Sequence, residues 1–147
     1  MATPTNLYRI FDQTSVSTFD PMEGFRSLDQ DFTTDDWSNS EKMRLALTQH
    51  LDWYNRIPTP FISISAARDA TRREALRRHS RGRKVQIAEI SSWKLEAEQV
   101  KWDQVSRLVN RHGATDAPFV GTAEYLCLNC IPASAVKKLW DWEEFER

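Results

Sequence analysis

Pro60-Phe61-Ile62-Ser63-Ile64-Ser65-Ala66 decides the fold. β-Branched and aromatic residues behind a proline, with apolar side chains alternating, predict a β-strand. Successive side chains on a strand point to opposite faces, so Ile62, Ile64 and Ala66 share one face while Phe61, Ser63 and Ser65 share the other. Two hydroxyls therefore stand in line on a strand that otherwise reads as core. Either the sheet is solvated on that face, or the hydroxyls line a cleft.

Immediately before this strand, Ile57-Pro58-Thr59-Pro60 forces an extended lead-in, so any preceding helix must stop there. Ser38-Asn39-Ser40-Glu41 has the Ser-x-x-Glu spacing of a capping box, which predicts a helix starting just after Ser38. Met43, Leu47, His50 and Tyr54, flanked by Ala46 and Leu51, give that helix an apolar stripe. His50 within the stripe is open to two readings, a packed hydrogen-bonded histidine or a ligand or base. After the strand, Ala66 to Arg81 predicts a second helix, with small residues Ala66, Ala67 and Ala70 for close packing and Gly82 as its stop. Arg68, Arg72, Arg73, Arg77, Arg78 and Arg81 surround it, either as a solvated face or as a contact for phosphates or an acidic partner. No aromatic residue interleaves with them, which argues against single-stranded nucleic acid.

Toward the N-terminus, Leu7 to Phe11 predicts a short strand with Leu7, Arg9 and Phe11 on one face and Tyr8 and Ile10 on the other. A buried Arg9 needs partners; a surface edge strand would accommodate it as well. Asp12 to Asp36 reads as a polar excursion with one turn near Met22 to Phe25. Further on come a strand at Val85 to Ile90, a helix in the second half of Trp93 to Arg111 closed by Gly113, and a loop at Asp116 to Thr122. Ala123 to Leu128 is strand-like with Glu124 as its one charge, Ile131-Pro132 breaks it, and Ala133 to Trp142 is a strand or a short helix. These elements predict an α+β fold, a single domain over residues 1–147, and 147 residues suffice to bury a core.

A net charge of -1 implies no global attraction to nucleic acid or to an anionic membrane. No stretch approaches the roughly 18 apolar residues that span a bilayer. Met1 to Asn6 carries no signal segment, which reads as cytoplasmic; an effector delivered by another route would look the same. Cys127 and Cys130 have Cys-x-x-Cys spacing, but one pair without a second does not make a zinc site. They also follow a strand-like run rather than a strand-to-helix turn, so both read as small apolar side chains.

Three strand-like segments each carry a polar group out of place: Arg9, then Ser63 with Ser65, then Glu124. In this chain order they resemble the ADP-ribosyltransferase family of the cholera-toxin type, with its arginine on a first strand, its Ser-Thr-Ser strand and its glutamate on a later strand. Tyr8-Arg9 resembles the opening aromatic-Arg pair, and Phe61-Ile62-Ser63-Ile64-Ser65 resembles the serine run. Glu124-Tyr125-Leu126, followed by Ile131-Pro132 and Ala135-Val136, resembles the glutamate strand and the turn behind it. The His-Leu-Asp-Trp and Pro-Phe-Ile-Ser-Ile-Ser segments are also similar to a group of uncharacterised fungal domains.

The resemblance implies a split β-sheet core with flanking helices and NAD as a consumed substrate, with neither a metal nor a redox cofactor required. It implies Glu124 on the ribose 2′-hydroxyl, Ser63 orienting Glu124, Arg9 at the pyrophosphate, and Ser65 supporting the strand or meeting the nicotinamide side. Tyr8, His50 and Thr122 complete the implied dinucleotide contacts. Cleaving the nicotinamide–ribose bond leaves an oxocarbenium-like sugar, which a carboxylate stabilises as charge develops. Two positions differ from the family pattern. Thr122 stands where members that modify arginine carry a second glutamate, and a threonine cannot act as the carboxylate that positions an arginine acceptor. Ile64 replaces the middle threonine at a core-facing position. The implied reaction is transfer to an unknown acceptor or hydrolysis of NAD; the alternative is an interaction module with the same fold and no chemistry. Among partners, nucleic acid is disfavoured and no membrane is implied.

Overall fold

In the computed structural model, which describes residues 3–52, 57–114 and 122–146, the serine strand is β3 (Phe61–Ser65), the third strand of a six-stranded antiparallel sheet. The others are β1 (Asn6–Phe11), β4 (Gln86–Ser91), β5 (Trp102–Gln104), β6 (Glu124–Leu128) and β8 (Val136–Asp141), in the order β5-β6-β3-β1-β4-β8. β2 (Phe25–Arg26) and β7 (Cys130–Ile131) form a separate pair. The helices are α1 (Ser40–Leu51), α2 (Arg68–Ser80), α3 (Ser92–Ala97), α4 (Val105–His112) and α5 (Trp142–Glu146). The architecture is the expected α+β.

Side-chain alternation builds the layers. Leu7 and Phe11 of β1, Ile62 and Ile64 of β3, Ile90 of β4 and Cys127 of β6 meet Phe25, Leu95 and Ile131 in one apolar cluster on one face of the sheet. The opposite face is covered in two separate pieces. α2 and α5 bring Ala75, Trp142 and Phe145 over Tyr8 and Ile87, whereas α1 and α4 bring Met43, Leu47, Val105 and Leu108 over Phe61, Leu126 and Leu128. The two coverings part above Ser63 and Ser65. The strand ladder opens at the same place: β1 pairs with β4 from Asn6↔Ser91 through Phe11↔Gln86, but with β3 only at Tyr8↔Ser65.

Several expectations are corrected. β1 lies inside the sheet and is not an edge strand, because β3 and β4 flank it. α1 is capped by Asn39, whose side chain accepts from the Lys42 amide. Ser38 cannot cap it, since Asp36–Ser38 already form a 3-10 turn in which the Asp36 carboxylate accepts from the Thr33 amide. The helix after β3 starts at Arg68, two residues later than Ala66. α3 and β5 are additional; each is shorter than the window over which periodicity can be read. The final segment is both strand and helix: a 3-10 turn at Ala133–Ala135, then β8, then α5. β6 ends at Leu128, before Ile131-Pro132, and Asn129, with a φ of 66°, turns the chain into β7. Tyr54, and the Asp116-to-Thr122 loop as far as residue 121, lie outside the described residues.

Gly24 is a steric requirement: at φ +79° a Cβ there would lie 2.0 Å from the Ile131 carbonyl oxygen, so only glycine lets β2 reach β7. Cys127 is fully buried and Cys130 half-buried, both as free thiols, and burial raises both of their pKa values. No described helix is long and apolar enough to cross a membrane.

Candidate functional site

Where the β1–β3 ladder stops, the Ser63 carbonyl needs another donor, because an unpaired backbone acceptor inside a protein is costly. Arg9 supplies it. Alternation puts Arg9 on the face of Leu7 and Phe11, with its guanidinium carbon 5.3 Å from the centre of the Phe25 ring. Nη1 donates to the Ser63 carbonyl and Nη2 to the Ser17 carbonyl, both at 3.0 Å. A guanidinium has five N–H groups, and these bonds use two of them; Nε is buried with no hydrogen-bond partner among the described residues. Burial, and then the charge of nearby Arg78, pull the Arg9 pKa down to about 10, which still leaves a cation at neutral pH.

The Ser63 hydroxyl is occupied from the α1 side. His50, in the last turn of α1, places Nε2 2.8 Å from Ser63 Oγ, while its Nδ1 meets the Thr59 hydroxyl. Its ring stands edge-on to Phe61 with centroids 5.5 Å apart. Burial first, and then the Arg9 charge, depress the His50 pKa to about 4, so the imidazole is neutral at physiological pH. His50 is thus the packed, hydrogen-bonded histidine of the first reading: its ring lies against Phe61, and its hydrogen bonds hold a cleft serine in place.

The β3–β6 register decides which serine accompanies the glutamate. Ser63 stands opposite Leu126, whereas Ser65 stands opposite Glu124. Directly opposed residues on one face have Cβ atoms about 5 Å apart, so Ser65 is the neighbour of Glu124, and Ser63 has His50 as its partner in place of the expected glutamate. Ser65 Oγ also accepts from the Ala67 amide at 3.1 Å, fixing the turn into α2. Glu124 is exposed at the start of β6. The two peptides before it are tied down: the Thr122 carbonyl accepts from Gln104 Nε2 and the Ala123 carbonyl from the Ala66 amide. Gln104, buried at the end of β5, is absent from the sequence-based set. A lone glutamine in a three-residue strand carries no pattern that would reveal it.

Two cavities flank this centre. One, of about 460 Å³, is bordered by Tyr8, Arg9, Ser63, Ser65, Glu124 and α2. The other, of about 500 Å³, is bordered by Arg9, Asp12, His50, Thr59, Ser63 and Arg78. Of the implied site residues, Tyr8, Arg9, Ser63, Ser65 and Glu124 converge on the first, and His50 joins Arg9 and Ser63 on the second. Thr122 is exposed and borders neither. A carboxylate beside a hydroxyl at one end and a buried cation between the cavities can bind an anionic ligand and stabilise positive charge developing near Glu124.

The profile of a family described as "Domain of unknown function (DUF7587)" matches residues 2–145. The chain belongs to this family. Among solved structures, the DUF7587 chain is similar to one titled EcPltA at 12% identity and a TM-score of 0.49, with 92% of this chain aligned to 74% of that one. No curated protein matches it.

Proposed function

We propose that the cleft binds NAD and that the chain cleaves the nicotinamide–ribose bond, passing ADP-ribose to an unidentified macromolecular acceptor or to water. The observation that carries this reading is the β3–β6 register, which sets Ser65 beside an exposed Glu124 in a cavity bordered by the Arg9 cation. The resemblance to ADP-ribosyltransferases of the cholera-toxin type supplies the chemistry for that arrangement. In the reaction the bond between the ribose C1′ and the nicotinamide nitrogen breaks, and its electron pair leaves with neutral nicotinamide. Glu124 holds the ribose 2′-hydroxyl and stabilises the oxocarbenium-like sugar, and the acceptor or water then bonds to C1′ and loses a proton. Arg9 meets the pyrophosphate with N–H groups that its two carbonyl bonds leave over. Ser63 acts from the wall of the cleft, held by His50. Tyr8 meets the dinucleotide from the Ser65 side and His50 from the Ser63 side, with Thr122 on the chain that leads into Glu124.

One observation favours a second reading, an interaction module without chemistry: both terminal nitrogens of Arg9 hold backbone carbonyls, a purely architectural task. Release of nicotinamide from NAD separates the two readings when wild type is assayed beside Glu124→Gln, with and without cell lysate. Release lost in the variant supports ADP-ribosyl chemistry, and label on lysate components makes the chain a transferase. Absence of release from folded wild-type protein supports the module, and a rate unchanged by Glu124→Gln would falsify the assignment of Glu124.

A further inference from the structure

Arg9, Ile10, Ser63 and Arg78 border both cavities, so a ligand that occupies the two must pass between them. Arg78 has no counterpart in the arginine, serine and glutamate motifs. It projects from α2, where Ala70, Glu74 and Arg78 recur every four residues and so form one stripe along the cleft.

Its own neighbours hold it there. Nη1 donates to Asp12 Oδ2 and Nε to Glu74 Oε2, each at 3.2 Å, while Nη2 has no partner among the described residues. The Asp12 side chain is 1% exposed and also lies 3.7 Å from Arg83. Against burial, which would raise its pKa, the two Thr14 hydrogen bonds and the charges of Arg78 and Arg83 hold the Asp12 acid below the usual carboxylate range. A carboxylate fixed in this way acts as a clamp that aims Arg78 at the junction of the cavities. Arg9 and Arg78 are close enough for the charge of one to disfavour the charge of the other. An anion between them would relieve that repulsion and give the buried Arg9 Nε and the unpartnered Arg78 Nη2 an acceptor.

We propose that Arg78 is a second anion-binding residue of the cleft, gripping together with Arg9 a diphosphate whose two substituents occupy the two cavities. Two adjacent phosphate groups match two adjacent guanidiniums better than a single phosphate does, and each cavity has the volume of a small-ligand pocket. The NAD reading contributes only the identity of the two substituents; the diphosphate grip stands on these residues.

The test is calorimetric titration at low salt with inorganic pyrophosphate, and then with ADP-ribose, against wild type, Arg78→Gln, Arg78→Lys and Arg72→Gln. Arg72 is exposed on the same helix and borders neither cavity, so its variant makes the same charge change away from the junction. Wild type and Arg72→Gln are expected to bind alike, with Arg78→Gln about tenfold weaker. Arg78→Lys keeps the ion pair to Asp12 and loses the fork; it is expected to bind several-fold more weakly than wild type and carries the test if Arg78→Gln does not melt cooperatively. Equal affinities in Arg72→Gln and both Arg78 variants, or no binding by wild type, would overturn the proposal. Nicotinamide release without pyrophosphate binding would sink the Arg78 assignment and leave the NAD reading standing. Pyrophosphate binding without nicotinamide release would do the reverse.

Discussion

The two flanks of β1 differ in how they satisfy the same backbone. Toward β4, every residue from Asn6 to Phe11 has a ladder partner, and Leu7, Ile87 and Ile90 are fully buried around it. Toward β3 there is one pair, Tyr8↔Ser65, and beyond it the Arg9 guanidinium takes the Ser63 carbonyl that a strand would otherwise have met. The first flank is held by repetition, and substituting any one side chain leaves its hydrogen bonds in place. The second depends on a single residue, and both cavities border the place where the strands part. A cleft opened by omitting ladder bonds leaves carbonyls in need of donors, and a buried cation with five N–H groups can supply several at once.

The largest effect is expected for the catalytic role assigned to the open flank. Nicotinamide release by Glu124→Gln should fall by about 100-fold or more, and because the side chain is exposed, its melting temperature should match wild type. Next is the staple itself. Arg9→Met removes the donor to two carbonyls and should cost about 2–4 kcal/mol in chemical denaturation. On the closed flank, Gln86→Met, which loses only a 3.3 Å exposed contact to Asp141, should cost under about 0.5 kcal/mol. Equal costs for the two variants would remove the distinction drawn between the flanks.

The open flank should also respond to acid. The folded-state pKa of His50, about 4, lies below its ordinary value of 6.5, so the unfolded chain takes up the proton first as pH falls. Stability is therefore expected to be unaffected by this group above pH 6.5 and to decline between pH 6.5 and 4, by on the order of 2 kcal/mol once solvent access to the half-buried ring is allowed for. His50→Gln should flatten that part of the stability–pH curve; an unaltered slope would mean that other groups produce it. Among the open-flank substitutions the smallest effect is expected for Ser65→Ala, which loses the bond to the Ala67 amide and should cost about 1 kcal/mol, without the pH change of the His50 variant.

The elements that carry the site were legible because their patterns are local. Alternation alone assigned the faces of β1 and β3, and glycine at φ 69° closes α4 at Gly113, where the sequence predicts it. Elements too short to show a period, β5 and α3, were not legible, and with β5 went Gln104 and its hold on the Thr122 carbonyl. The expected Ser63–Glu124 partnership illustrates the same limit. Ser63 and Ser65 are chemically identical in the sequence, and only the strand register separates them.

The sequence by itself determined which residues face together on each strand, that Arg9 would need partners if buried, and that strands and helices would combine in an α+β fold, because those follow from side-chain periodicity and from the cost of burying an unpaired charge. The tertiary structure decided that β1 and β3 part after one pair, that His50 takes Ser63 while Ser65 takes the place beside Glu124, and that Arg78 pairs with Asp12. Such relations join residues up to 66 positions apart, as Arg78 is from Asp12. Register, ladder length and the convergence of distant charges are set by how whole layers pack, and no local stretch of chain encodes them.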